Sequence, residues 1–186
     1  MKRIYQSLCL AILIGFLSAC GLQTLTPQSQ ESIDLSQYQT YLGQVENVNL
    51  AIGQVIYVPV YSHVYYLDRQ KPYNLAANLS IRNTDLTNPI TIASVRYYDT
   101  NGKLVKQYSG LPLKLGALAS TDFFVAEKDT SGGIGANFIV EWIAQKQVSE
   151  PIVEVVTIGT AGTQGISFIS PGKVIQIKTA ISEEGD

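Results

Sequence analysis

The chain has 186 residues, 46% of them hydrophobic, which suits one domain with a tether and is enough to bury a core. Its 13 Lys and Arg against 15 Asp and Glu give a net charge of −2 and no basic surplus for nucleic acid. A single His and two Cys fall short of the roughly four N or S ligands of a structural zinc site; oxygen-ligated Ca²⁺ stays open, although no spacing of acids resembles an EF-hand loop, and no cofactor or metal is assigned.

The first residues have the three-part pattern of a secretory signal peptide. Lys2 and Arg3 form a basic start, Leu8 to Leu17 is uncharged, and Leu17-Ser18-Ala19-Cys20 closes the segment. The apolar run is about ten residues, half of the roughly 20 that span a bilayer. The Leu, small, small, Cys ending resembles a bacterial lipobox, in which the Cys sulfur takes a diacylglycerol and cleavage falls just before it. Residues 1–19 are thus expected to leave as a signal peptide, with Cys20 lipidated. Stable anchoring needs at least two acyl chains, and a lipidated Cys20 provides them. Gly21, where Asp would signal retention in that class, favours the outer membrane if the cell is Gram-negative. Two of the 13 basic residues leave with the leader and none of the acids do, so the mature chain is the more acidic. With Cys9 removed and Cys20 acylated, no disulfide remains to hold the fold.

Residues 20–50 read as the lipidated Cys, a flexible tether and a lead-in. The polar stretch Gly21 to Ser32 lacks periodicity, and about 12 extended residues reach roughly 40 Å. From residue 51 to about 180 the texture is that of short strands between turn residues. Strands are predicted near 54–66, 74–83, 90–99, 103–109, 121–127, 137–143, 152–159, 164–170 and 173–178. Alternation is clean in 74–83, where Leu75, Ala77, Leu79 and Ile81 oppose Asn78, Ser80 and Arg82. Asn101-Gly102 suits a tight hairpin turn because both residues tolerate positive φ. Trp142 shares a parity with Phe138 and Val140 and is expected in the core. The fold class is all-β: an immunoglobulin-like antiparallel β-sandwich of seven to nine strands without a disulfide. Residues 181–186 read as a disordered tail.

Two stretches carry candidate sites. In Val55–Leu67, Tyr57, Pro59, Tyr61, His63 and Tyr65 share one parity, and Ile56, Val58, Val60, Ser62, Val64 and Tyr66 share the other. Tyr57, Tyr61, His63 and Tyr65 therefore form a candidate ligand or partner face, since aromatic rings with polar tips stack on sugars and anchor proteins. Pro59 cannot donate to a central ladder and points to an edge strand. In Asp129–Asn137 the glycines recommend a loop site built from Asp129, Gly132, Gly133 and Asn137. It lacks the Lys-Ser/Thr of a phosphate loop.

No catalytic residue is assigned. Gly165-Ile166-Ser167-Phe168-Ile169 lacks the last Gly of a nucleophile elbow. His63, Asp68, Asp129 and Glu141 would be the groups of an envelope hydrolase acting on glycan or peptidoglycan, provided that two of them converge in one cleft.

The runs Val58–Tyr66, Asn74–Asp85, Gly132–Trp142 and Glu150–Glu154, followed by Ile158-Gly159 and Gly165–Phe168, resemble a domain-of-unknown-function family of bacterial, often cyanobacterial, lipoproteins. The resemblance covers roughly residues 54–175. It implies an envelope location and no activity. Tyr97-Tyr98-Asp99 before a turn is similar to immunoglobulin-like modules. The expected function is a non-catalytic binding or assembly module, anchored to a membrane through its lipid and facing the periplasm. An envelope protein or a glycan would be its partner, and nucleic acid is excluded.

Overall fold

Alternation is what builds the strands. In β1 (Ile52–Val60) the side chains of Ile56, Val58 and Val60 are buried while Tyr57 and Pro59 are only half-buried. The computed structural model describes residues 50–161 and 165–179. The leader, Cys20, the tether, the lead-in up to residue 49 and the tail 181–186 lie outside them.

After β1 come β2 (His63–Tyr66), β3 (Lys71–Asn74), β4 (Ala76–Arg82), β5 (Ile90–Tyr98) and β6 (Leu104–Gln107). The chain continues through β7 (Leu113–Leu115), β8 (Ser120–Val125), β9 (Ala136–Ala144), β10 (Ile152–Gly159), β11 (Ile166–Pro171) and β12 (Lys173–Thr179). Six strands form one antiparallel sheet in the order β12-β1-β9-β5-β6, with β7 also on β5. Four form a second in the order β11-β10-β4-β8. The two sheets face each other as the predicted immunoglobulin-like β-sandwich. Neither cysteine lies among the described residues, so no disulfide supports it. The hairpin β2–β3 belongs to neither sheet.

The twelve strands exceed the predicted seven to nine because 54–66 breaks in two and because the short β3 and β7 form. Predicted as an edge, β1 is instead flanked on both sides. It pairs with β9 from Ile52↔Ala144 to Val60↔Ala136 and with β12 from Ile52↔Thr179 to Tyr57↔Lys173. Pro59 lies beyond the last β12 partner, where a missing N–H interrupts no β12 pair.

The core fills the space between the sheets. Val58, Phe138, Val140, Trp142 and Val95 from one meet Leu79, Ile81, Val153 and Val155 from the other, all in one cluster. Trp142 is fully buried, and its Nε1 donates to Gln54 Oε1 at 3.2 Å. Gln54 Nε2 in turn donates to Glu150 Oε1 at 2.8 Å, so the buried indole and amide are both satisfied. The β5–β6 connection forms where Asn101-Gly102 predicts it, but only Gly102 adopts positive φ. Asp99 Oδ1 accepts the N–H groups of Asn101 and Lys103, each at 2.8 Å, and shapes the turn in place of a two-residue mirror turn.

Two further loops are tied through Asp85. Its Oδ1 accepts the N–H groups of Asn88 at 2.7 Å and Thr87 at 2.9 Å, and its Oδ2 accepts Ser149 N–H at 3.1 Å. Those donors, Asn88 first, hold the carboxyl well below the usual carboxylate range. The β4–β5 and β9–β10 connections are thereby pinned together at one end of the sandwich.

Candidate functional site

Ser62 is where the tyrosine segment leaves the sheet. Its N–H donates to Gly133 O at 3.1 Å, and its carbonyl accepts Leu75 N–H at 2.9 Å. Its hydroxyl lies 3.1 Å from Gly133 O, 3.4 Å from Thr130 O and 3.2 Å from His63 Nδ1. A hydroxyl has one proton. The set is satisfied when His63 carries its proton on Nδ1 and Ser62 Oγ donates to a carbonyl. Ser62 is fully buried, so it staples the hairpin to the glycine loop and does not serve as an accessible nucleophile.

Beyond Ser62, β2 pairs with β3 through His63↔Asn74, Val64↔Tyr73, Tyr65↔Pro72 and Tyr66↔Lys71. The turn between them is unusual. Leu67, Asp68 and Arg69 all take positive φ, at 50°, 51° and 65°. A left-handed conformation costs a non-glycine residue about 1–2 kcal/mol, and such strain collects at functional sites. At this tip Tyr65, Tyr66 and Leu67 are 47%, 46% and 58% exposed.

The four residues of the candidate aromatic face do not share one surface. Tyr57 stays in β1, opposite Ile139 and Lys173. Tyr61 packs edge-to-face on Phe168 of β11, with ring centres 5.6 Å apart. His63 and Tyr65 meet edge-to-face at 5.1 Å within the hairpin. The bend at Ser62 divides the row because a single strand parity cannot pass through it.

Two tyrosines outside that face make the better-formed site. Tyr66 and Tyr73 approach at 6.2 Å with ring planes 78° apart. With Pro72, Asn74, Glu127 and Ala161 they line an open cleft of about 330 Å³. Glu127 is exposed, and Tyr73 and Asn74 are half-buried. Sequence reading missed Tyr73 and set Tyr66 on the aliphatic side. The available signal was Pro72-Tyr73 shortly after Tyr65-Tyr66, a spacing that a four-residue turn can pair.

The glycine loop that the sequence marks as a candidate site is closely packed. Thr100 donates from its N–H and from Oγ1 to Gly132 O at 2.9 and 3.0 Å, and Gly135 N–H donates to Thr100 Oγ1 at 3.0 Å. A Cβ on Gly132 would fall 1.9 Å from the Tyr97 hydroxyl oxygen. Gly133, at φ +76°, takes a conformation that other residues rarely adopt. Asp129 turns its Oδ1 to the N–H and hydroxyl of Ser131, and Asn137 lies in β9 between Pro59 and Tyr98. Close packing of backbone against Thr100 and Tyr97 is what these glycines permit. Through Ser62 and Gly133 the loop and the tyrosine segment nonetheless form one connected region.

Beneath the loop, the Tyr97 hydroxyl is buried and has no hydrogen-bond partner among the described residues. Burial, helped by the charge of Asp129, pushes its phenol up to about 12. Burial likewise raises Tyr108 above the usual tyrosine range, and its hydroxyl donates to Phe124 O at 3.2 Å.

Two of the acids considered for hydrolysis are engaged by other groups, Asp129 by Ser131 and Glu141 by two cations. Glu141 is buried on the outer face of the six-stranded sheet, ion-paired to Arg96 and, at 3.1 Å, to Lys178. Asp68 stands in the strained turn. Among the described residues no three His, Cys, Asp or Glu side chains are grouped to hold a metal.

Residues 53–175 match the model of a family described as protein of unknown function (DUF3124), and the chain belongs to that family. Comparison with curated proteins gives no match. Among solved structures, a crystal structure of a Thermotoga maritima protein is similar over 68% of this chain and 96% of its own, at 11% identity and a TM-score of 0.41. A likeness that distant transfers no function.

Proposed function

We propose that this member of the family is a lipid-anchored, non-catalytic binding or assembly module of the bacterial cell envelope. Support for the anchor comes from the leader and the Leu17-Ser18-Ala19-Cys20 ending. In this reading Cys20 is acylated, the domain faces the periplasm on its tether, and the outer membrane is its site in a Gram-negative, cyanobacterial-type cell. The observation that carries the binding role is the β2–β3 hairpin. It stands outside both sheets, keeps three consecutive strained residues, and presents Tyr65, Tyr66 and Leu67 to solvent. A core has no need of such an element, whereas exposed aromatic anchors are the usual centres of contact.

In-cell cross-linking of the anchored protein, followed by affinity capture and mass spectrometry, tests this. One reproducible envelope partner is expected, and it should be lost when Tyr65→Ala and Tyr66→Ala are combined. Unchanged capture by that double variant refutes the hairpin assignment. The anchor has a separate test: Cys20→Ser should abolish incorporation of labelled palmitate.

A further inference from the structure

We infer that the cleft beside the β2–β3 hairpin receives a small alkylammonium group, with Tyr66 and Tyr73 as its walls and Glu127 as its counter-charge. The inference deepens the binding-module reading and rests on it.

The lining chooses among ligand classes. Of the six described residues around the cleft, none is basic, and Glu127 is the one acid. Glu127 has no hydrogen bond or ion pair with any described residue. No cationic side chain is among the described lining residues to hold an anion, and Lys71, the cross-strand partner of Tyr66, is not one of them. A hard cation wants six to eight oxygens, and the cleft offers one carboxylate and the amide of Asn74. A sugar stacks best on a flat aromatic shelf, but these rings stand 78° apart and form a corner. A rounded cation touches both walls of such a corner. Ring faces attract cations within about 6 Å of their centres, and quaternary ammonium groups are recognised in this way. Pro72 and Ala161 supply apolar surface for the alkyl stem.

The volume agrees with a head group alone. About 330 Å³ in an open cleft admits a trimethylammonium or a lysine-like chain end and leaves the remainder of the ligand outside. The strained turn Leu67–Arg69 connects β2 to β3, and so relates Tyr66 on one strand to Tyr73 on the other. Choline-type head groups and the side-chain amines of diamino acids share this chemistry, and two probes separate them.

The test uses the full chain in an uncharged polyoxyethylene detergent, with ¹³C-labelled tyrosine rings observed by NMR. Choline chloride and n-butylammonium chloride are titrated beside their neutral counterparts, 3,3-dimethylbutan-1-ol and 1-butanol, at matched ionic strength. The Tyr66 and Tyr73 rings should shift with at least one cation at an affinity on the order of 1–10 mM. The matching alcohol should bind about tenfold more weakly. Preference for choline identifies a quaternary head group, and preference for butylammonium identifies a primary amine. Glu127→Gln should weaken binding about twofold to fivefold, and Tyr66→Leu, which keeps apolar bulk without a ring face, about threefold.

Three results overturn the inference: equal binding of cation and alcohol, no ring shift at about 50 mM cation, or shifts produced by N-acetylglucosamine oligomers instead. Failure here is distinguishable from failure of the binding-module reading. If the cations do not bind while the cross-linked partner is still captured through Tyr65 and Tyr66, the module stands and the ammonium site falls.

Discussion

β1 and the β2–β3 hairpin are adjacent in the chain and both mix Val with Tyr, three to one in β1 and one to three in the hairpin strands, and the structure treats them in opposite ways. β1 has a neighbour on each side, and its inward side chains Ile56, Val58 and Val60 are 3%, 0% and 1% exposed. The hairpin pairs only with itself and leaves Tyr65 and Tyr66 nearly half exposed. Alternating Val and Tyr thus make core in one place and exposed surface in the other. Position relative to the second sheet decides which, and a single bend at Ser62 sets that position.

The largest expected effect lies on the β1 side. Ile56→Ala removes buried methyl groups from the middle of the cluster and should cost about 2–5 kcal/mol. That is a large share of the roughly 5–15 kcal/mol by which a domain is stable. Urea unfolding followed by Trp142 fluorescence checks it. A loss below about 1 kcal/mol would mean that β1 is as loosely held as the hairpin, and the contrast between them would fail.

That contrast also marks the limit of what was legible beforehand. Local alternation exposed β4 fully: Leu75, Ala77, Leu79 and Ile81, read as one face, are all buried at 1% or less. Trp142 was equally readable from its parity with Phe138 and Val140. The break at Ser62 was not, because what ends β1 is a hydrogen bond to Gly133, 71 residues away. The hairpin turn was hidden for another reason. Three consecutive left-handed residues without a glycine contradict ordinary propensity, so nothing local announced that Tyr73 would come back beside Tyr66. The roles of Gly132 and Gly133 depend on where Tyr97 and Thr100 lie in the folded sheet, and glycine content alone suggests openness.

The glycine loop joins the two regions and gives the next effect. Gly132→Ala places a methyl against the Tyr97 hydroxyl and should destabilise by about 1–3 kcal/mol through overpacking. Tyr97→Phe removes the contacting oxygen and should restore part of that loss in the double variant. A double-mutant cycle in urea measures the coupling. Strict additivity would show that the methyl is accommodated by movement of the loop rather than resisted by the ring.

Alkaline pH addresses the same buried phenol. In the unfolded chain a tyrosine ionises near 10, whereas Tyr97 keeps its proton up to about 12 in the fold. Between those values the folded state binds more protons than the unfolded state, so stability falls as pH rises from about 10 to 12. Burial of Tyr108 acts in the same direction. Urea midpoints at pH 8 and pH 11 should therefore differ less in Tyr97→Phe than in the wild type. At pH 8 that variant should be unchanged or more stable by about 1 kcal/mol, since it loses a buried hydroxyl without a partner.

The smallest effect is the most informative about function. Tyr66→Ala removes a ring that is nearly half exposed and touches Tyr73 only at its edge. Exposed substitutions usually stay within about 0.5 kcal/mol, so the midpoint of unfolding should barely move while partner capture weakens. A stability loss of about 2 kcal/mol or more would instead make Tyr66 a packing residue. The hairpin would then belong with β1, as an outlying piece of core, and its exposed rings would have no claim on a ligand. A variant that keeps its stability and loses its partner separates the two regions: β1 holds the fold, and the hairpin, freed from that task, makes the contact.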